Sequence, residues 1–302
     1  METLMRDLDS ANSRLSSGAQ DFIVHTAIRS PRKLDYKDLY LKLLTSPNRR
    51  QMSLGLTCFQ EIPAPEAIPR LLELTLDKEA NIASRTGLAL RHYPTNMEVM
   101  RALITLTRNP DAHVRSQTMI SMDRFDCPEV TTALLERLKD PDATVRAMVP
   151  RAFHYKSAET RAILSPKLLE LLNDDPSPQV KASMIKAAGD DLPVARLFGY
   201  LQQKDLDTEM RVAVLGSLYV RFSHAPDTRL SAIREHEDLL VAQVMRTEHH
   251  MIGFNALCIL SLTDSPKIRE IISKAAREHR NDYVRQHAQY LAKKQQDALP
   301  PK

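Results

Sequence analysis

The reactive side chains of this 302-residue sequence fall into three groups: imidazole–carboxylate runs, cysteines and a recurring set of cations. Glu235-His236-Glu237-Asp238 and Glu248-His249-His250 bring together side chains that ligate zinc or iron. Neighbours in sequence point to different sides of a helix, so neither run makes a metal site by itself. No metal site and no cofactor is expected. Cys58, Cys127 and Cys258 lie 69 and 131 residues apart, which is neither a disulfide framework nor a zinc spacing. They read as reduced, packed thiols of a cytoplasmic protein. Nucleophilic catalysis finds no support. There is no Gly-x-Ser-x-Gly, no glycine-rich phosphate loop and no Cys beside a recognisable His arrangement. The chain is therefore not expected to be an enzyme.

The cations are different because they recur. Asn109-Pro110-Asp111 leads to Val114-Arg115, Asp140-Pro141-Asp142 to Val145-Arg146, Asp175-Pro176 to Val180-Lys181, and Asp205 to Met210-Arg211. Weaker copies run from Asp77 to Ile82-Ala83, from Thr247 to Ile252-Gly253 and from His279 to Val284-Arg285, and Arg49-Arg50 marks the earliest. The aliphatic anchors at 82, 114, 145, 180, 210, 252 and 284 are 32, 31, 35, 30, 42 and 32 residues apart. The acidic or amide residue and the cation stand six apart in four copies. Asp140, Arg146, Asp175, Lys181, Asp205 and Arg211 are expected to form a ladder of partly buried pairs that sets repeat-to-repeat register.

Helices must position this pattern. Each period splits into two apolar stretches, such as Ala133, Leu134, Leu135 and Leu138 before a turn, and Val114, Thr118, Met119 and Met122 after one. Spacings of three and four place one apolar stripe on each helix. One such pair cannot bury its stripe alone, so neighbours must stack. Pro110, Pro141 and Pro176 stop the first helices, and Asp111, Asp142 and Ser177 cap the second ones. Only seven Gly occur, and no sustained period-two strand pattern is found. No apolar run is long enough to span a membrane, and the first residues lack the apolar core of a secretory signal.

This arrangement resembles the HEAT-repeat family over roughly residues 35 to 295, closest to the short bacterial-type repeats also seen in phycobilisome lyases. The resemblance implies an all-α fold, a right-handed α-solenoid of about eight antiparallel helix pairs. Residues 1–34 are expected to be an N-terminal helical cap, residues 35–296 the array with an irregular longer unit around 223–250, and residues 297–302 a short tail. HEAT-repeat hydroxylases hold a di-iron centre with several His-Glu pairs, whereas His236-Glu237 is the one such pair in this sequence. HEAT-like DNA glycosylases use Trp among other aromatics, and this chain has no Trp.

Solenoids bind along a concave face lined by second helices. Solvent-facing positions there, six, nine and ten residues after the anchor, hold Arg91, His92, Arg124, Arg151, His154, Tyr155 and Lys186, with Arg221 one place further on. Pro150 inside a second helix predicts a bend next to Arg151. The expected function is a non-catalytic adaptor or scaffold that holds a protein partner against this row. The alternatives are binding of a nucleic-acid backbone and a lyase-like, chromophore-handling role. Net charge is only +4, but Lys267 to Lys302 holds nine Lys/Arg against four Asp/Glu.

Overall fold

The seven aliphatic anchors, Ile82, Val114, Val145, Val180, Met210, Ile252 and Val284, are all buried. Each sits near the start of its helix. The computed structural model describes residues 2–153, 156–224 and 226–297, with no strand among them. Among the described residues eight helix pairs follow one another. Pairs one to four are Lys37–Thr45 with Arg49–Glu61, Ile68–Leu74 with Ala80–Leu90, Met97–Leu106 with Ala112–Ser121, and Pro128–Arg137 with Ala143–Met148. Pairs five to eight are Ala158–Asp174 with Pro178–Ala188, Val194–Leu201 with Thr208–His224, Glu237–Val244 with His250–Leu260, and Pro266–Glu278 with Asp282–Asp297. The fold is an all-α solenoid.

The chain divides into two compact units, Met1–Leu164 and Ser165–Lys302. The division falls inside helix Ala158–Asp174, next to its interior Pro166. The first unit opens with helices Glu2–Leu8 and Ser13–Asp21 and a π-helical turn at Phe22–Ala27. The 42-residue period has a simple cause: a second helix of 17 residues, Thr208–His224, followed by an added helix, Pro226–Glu235. Pro150 does not kink a continuous helix. The α-helix ends at Met148, and a 3-10 turn, Val149–Phe153, carries the chain past the proline.

The turns follow from their side chains. Asp111 and Asp142 accept hydrogen bonds from the second and third N–H groups beyond them, and Ser177 accepts from Val180 N–H. These otherwise unpaired helix-start donors are thereby satisfied. The residue two places earlier braces the same turn: Asn109, Asp140 and Asp175 accept from the N–H of 111, 142 and 177 at 2.8–3.0 Å.

The cation after the anchor then closes the turn from its other side. Arg115 donates to the carbonyls of Asn109 and Pro110, Arg146 to those of Asp140 and Pro141, Lys181 to that of Asn173, and Arg285 to that of His279. Arg115 also reaches the next pair, where it grips Asp140 through two bonds of 2.8 and 2.9 Å. Arg137 adds a third at 3.2 Å. The Asp140 carboxylate is fully buried and the Arg115 side chain 11% exposed. Burial pushes the Asp140 carboxyl up, but the bonds from Arg115 and from Asp142 N–H outweigh it and hold it below the usual carboxylate range. Arg211 repeats the geometry with a neutral partner, donating to its own Leu206 carbonyl and to Gln243 of the next pair at 3.0 Å. At the first pair Arg49 reaches Asp77. The register bonds resolved here therefore run from a cation to its own turn and to the next pair's acid or amide. Asp205 is exposed.

A second set of ties lies at the far end of the second helices. Lys156, only 5% exposed, sends its ammonium to the carbonyls of Met122 at 2.7 Å and of Phe125. Those carbonyls end the preceding pair's second helix, where the helix dipole favours a cation. Burial nonetheless draws the Lys156 pKa down to about 8, against the opposing pull of Asp126 and Asp123.

Two outcomes follow. Gly253 stands where other repeats carry the cation, and a Cβ there would lie 2.6 Å from the Val244 carbonyl. Gly253→Ala should therefore lower stability in urea melts by about 1–3 kcal/mol. Gly199→Ala, with nothing within 4 Å, should be neutral or slightly stabilising. For Lys156, the folded pKa lies below the unfolded one, so the unfolded chain binds more protons between them. Stability relative to Lys156→Met should rise as pH climbs from about 8 to about 10.5, by on the order of 3 kcal/mol. A flat difference across that range contradicts the assignment.

Candidate partner-binding face

The exposed side of the second helices is polar in the first unit. Ser53, Thr57, Arg85 and Gln117 are all half-buried along it. Arg85 lies across the helix of pair one, donating to Ser53 O, Ser53 Oγ and Thr57 Oγ1 at 2.8–3.0 Å. Gln60 returns a bond to the Arg85 carbonyl. Neighbouring second helices are thus stitched by side chains that look like surface residues in the sequence.

Several residues of the expected basic row belong to this stitching. Arg91 donates to Asp123 in the next pair at 2.7 Å, where Asp123 is itself buried. His92 Nε2 lies 2.7 Å from the Gln60 carbonyl at the end of the preceding second helix. The adjacent Tyr93 hydroxyl bonds both the N–H and the carbonyl of Ala64, each at 2.9 Å. In the second unit Arg221 donates to the Leu192 carbonyl. Lys156, His92 and Arg221 therefore do one job, each reaching a carbonyl of the preceding pair.

Other members of the row face water. Arg124 and Arg151 are exposed, and among the described residues the Arg151 guanidinium is recorded against the Met148 sulfur at 3.8 Å. Lys186, in the second unit, is exposed with the Glu209 carboxylate 3.8 Å away. That pair is worth little in water. His154 and Tyr155 lie outside the described residues.

The imidazole–carboxylate runs are engaged locally. The His236 ring stacks on Phe198 with centroids 3.8 Å apart, and its Nδ1 lies 3.0 Å from the Ala232 carbonyl. Glu248 pairs with Arg246, and His249 Nδ1 caps the helix by accepting from Met251 N–H. Among the described residues no three His, Cys, Asp or Glu side chains come together in a way that holds a metal ion. The cysteines are free thiols. Burial pushes Cys58 up to about 12 and Cys258 up to about 11, so both remain protonated at neutral pH. No helix among the described residues is long and apolar enough to cross a membrane.

Sequence reasoning missed two features. Lys156 carries no signal, since a lone lysine normally reads as solvated. The other is a row of rings on the last two second helices: His250 and Phe254 facing Tyr283, His287 and Tyr290. The spacing of 283, 287 and 290 was a usable signal, because four and three residues keep side chains on one helix face.

No family model matches the chain, and no curated protein matches it. Solved structures do. Kap121p matches with a TM-score of 0.60 at 14% identity, over 96% of this chain and 36% of that one. Kap121p bound to Ste12p matches with 0.60 at 15% identity and the same coverage. A homology model of the full-length AP-3 complex in an intermediate open conformation gives 0.50 at 13% identity, over 86% of this chain and 56% of that one. The chain thus spans about a third of the length of the Kap121p chains. At such identities the likeness is one of fold, and it places this chain among HEAT-like helical-repeat architectures.

Proposed function

We propose that this chain is a non-catalytic scaffold of the short, bacterial-type HEAT kind, and that it holds a protein partner on its second-helix face. The observation that carries this reading is the contrast among the cations. Arg91, His92 and Arg221 are bonded to neighbouring repeats, while Arg124 and Arg151, on consecutive pairs, stand exposed. Arginines left in water on a regular helical surface suit bidentate capture of carboxylates on a partner. Lys186 offers the same chemistry in the second unit. His154 and Tyr155, three and four places after Arg151 in the sequence, are further candidates. Kap121p, of similar fold, has been solved bound to Nup53p, to Ste12p and to Pho4p, which supports reading such a stack as a holder of protein segments.

A nucleic-acid backbone needs several unpaired cations in register, with a salt dependence that counts them. Arg91, His92 and Arg221 are already committed to protein acceptors, so that reading has less support. No arrangement of side chains described above supports lyase-like chemistry.

The test is affinity capture from the native host with quantitative mass spectrometry. Arg124→Glu/Arg151→Glu should lower recovery of the specific partner by roughly tenfold or more, with helical circular dichroism unchanged. Undiminished recovery contradicts the assignment of the face.

A further inference from the structure

The second helices of pairs seven and eight carry two facing rows that the repeat pattern does not require. One row is His250, Phe254, Cys258 and Ser261, and the other is Tyr283, His287, Tyr290 and Lys294. Spacings of three and four keep each row on one face of its helix. The rows meet rung by rung. The Phe254 ring centroid lies 5.0 Å from Tyr283 and 4.6 Å from His287, and Cys258 Sγ lies 3.4 Å from His287 Nε2. At the end, Ser261 and Lys294 share a 290 Å³ pocket with Leu291 and the Asp264–Arg269 ion pair.

Packing between the two helices accounts for Phe254 and His287, but not for the exposed rings of Tyr283 and Tyr290. The last helix packs through a separate stripe, Val284, Ala288 and Leu291, all buried. One apolar stripe is what a helix needs to dock. The second leaves Tyr283 and Tyr290 52% and 62% exposed. Contiguous exposed aromatics of this kind mark interaction surfaces.

We propose that this ridge docks an extended acidic peptide segment of a partner protein, anchored by an aromatic or long aliphatic side chain. Three observations select that occupant. The first is ring geometry. A nucleobase slotted between two rings needs them roughly 7 Å apart, twice the ~3.4 Å rise of stacked bases. Adjacent rings here lie 4.6–6.3 Å apart and fill that space themselves. They form a continuous surface for a side chain to lie across, and Tyr gives such contact area at low entropic cost. The second is charge. Arg280, Lys293 and Lys294 are exposed and have no ion-pair partner among the described residues. The third is the pocket, where Arg269 neutralises Asp264 and leaves the exposed Lys294, which also lines it, for an incoming carboxylate. The ridge is independent of Arg124 and Arg151, and stands whether or not that face binds.

The experiment uses the full chain. A random peptide phage library is selected on the immobilised protein, and the enriched peptides are synthesised and titrated by fluorescence anisotropy. The enriched set should carry acidic residues around an aromatic or aliphatic position. Tyr283→Ala/Tyr290→Ala should weaken binding by roughly tenfold or more, and Tyr290→Phe should retain most of it. Lys294→Glu should weaken it also, and reads the same site should the ring variants disturb the helix. Arg124→Glu/Arg151→Glu should bind these peptides as the unchanged protein does. Enrichment without acidic residues, equal binding by the ridge variants, or tighter ridge-dependent binding of a single-stranded oligothymidine each overturns the proposal.

Discussion

The reach of a turn cation to its own turn and to the next pair is the constraint on which the described repeats depend, and the grip of Arg115 on Asp140 is its fullest form. A carboxylate with no exposed surface is tolerable only with its lone pairs filled, and Arg115, Arg137 and the Asp142 N–H fill them. Arg115 also closes its own turn through two carbonyls. One planar guanidinium thus fixes a turn and the spacing to the next repeat at once. Lysine, a single ammonium, has no fork to do both, and Lys181 is resolved on its own turn's Asn173 carbonyl. Where the acid is replaced by Gln243, Arg211 keeps the same reach, and burial pulls its pKa down, with Arg246 nearby adding to the fall.

This division of labour shapes the functional surface. A helical stack has no central core, so each junction must specify its own register. Cations at both ends of the second helices do so, at the turn through Arg115 and Arg211, and at the far end through His92, Lys156 and Arg221. Cations outside that work are then informative. Arg124 and Arg151 face water in the first unit, and the second unit ends in an aromatic ridge with Lys294 at its tip. The two surfaces differ in chemistry, one cationic and polar, the other aromatic.

The fold was legible because its signals are local and repeated. Anchor spacing, Asp-Pro turns and stripes at three and four all arise within one helix pair, and every anchor is buried. The 42-residue interval was legible as an irregularity, while its content, an added helix Pro226–Glu235, was not. The site was less legible for a physical reason. Arg91 and Arg124 have the same side chain on the same kind of helix end, yet one meets Asp123 and the other meets solvent. That difference depends on a neighbour some thirty residues away in sequence, which periodicity alone does not place. Lys156 is the extreme case, a residue type that is almost always exposed, buried because three carbonyls of the preceding repeat converge on it. Gly253 reads as a lost cation in the sequence and as a close backbone approach in the structure.

The most direct measurement of the central claim is a double-mutant cycle between Arg115 and Asp140, read by urea unfolding, with Arg124→Ala as the reference for an uncommitted arginine. Removing either member of the buried pair should cost about 3–5 kcal/mol, and the two losses should couple by at least about 1.5 kcal/mol. Arg124→Ala should stay within about 0.5 kcal/mol of the unchanged protein. Additive losses at Arg115 and Asp140, or a loss at Arg124 as large as theirs, would contradict the separation of structural from partner-facing cations.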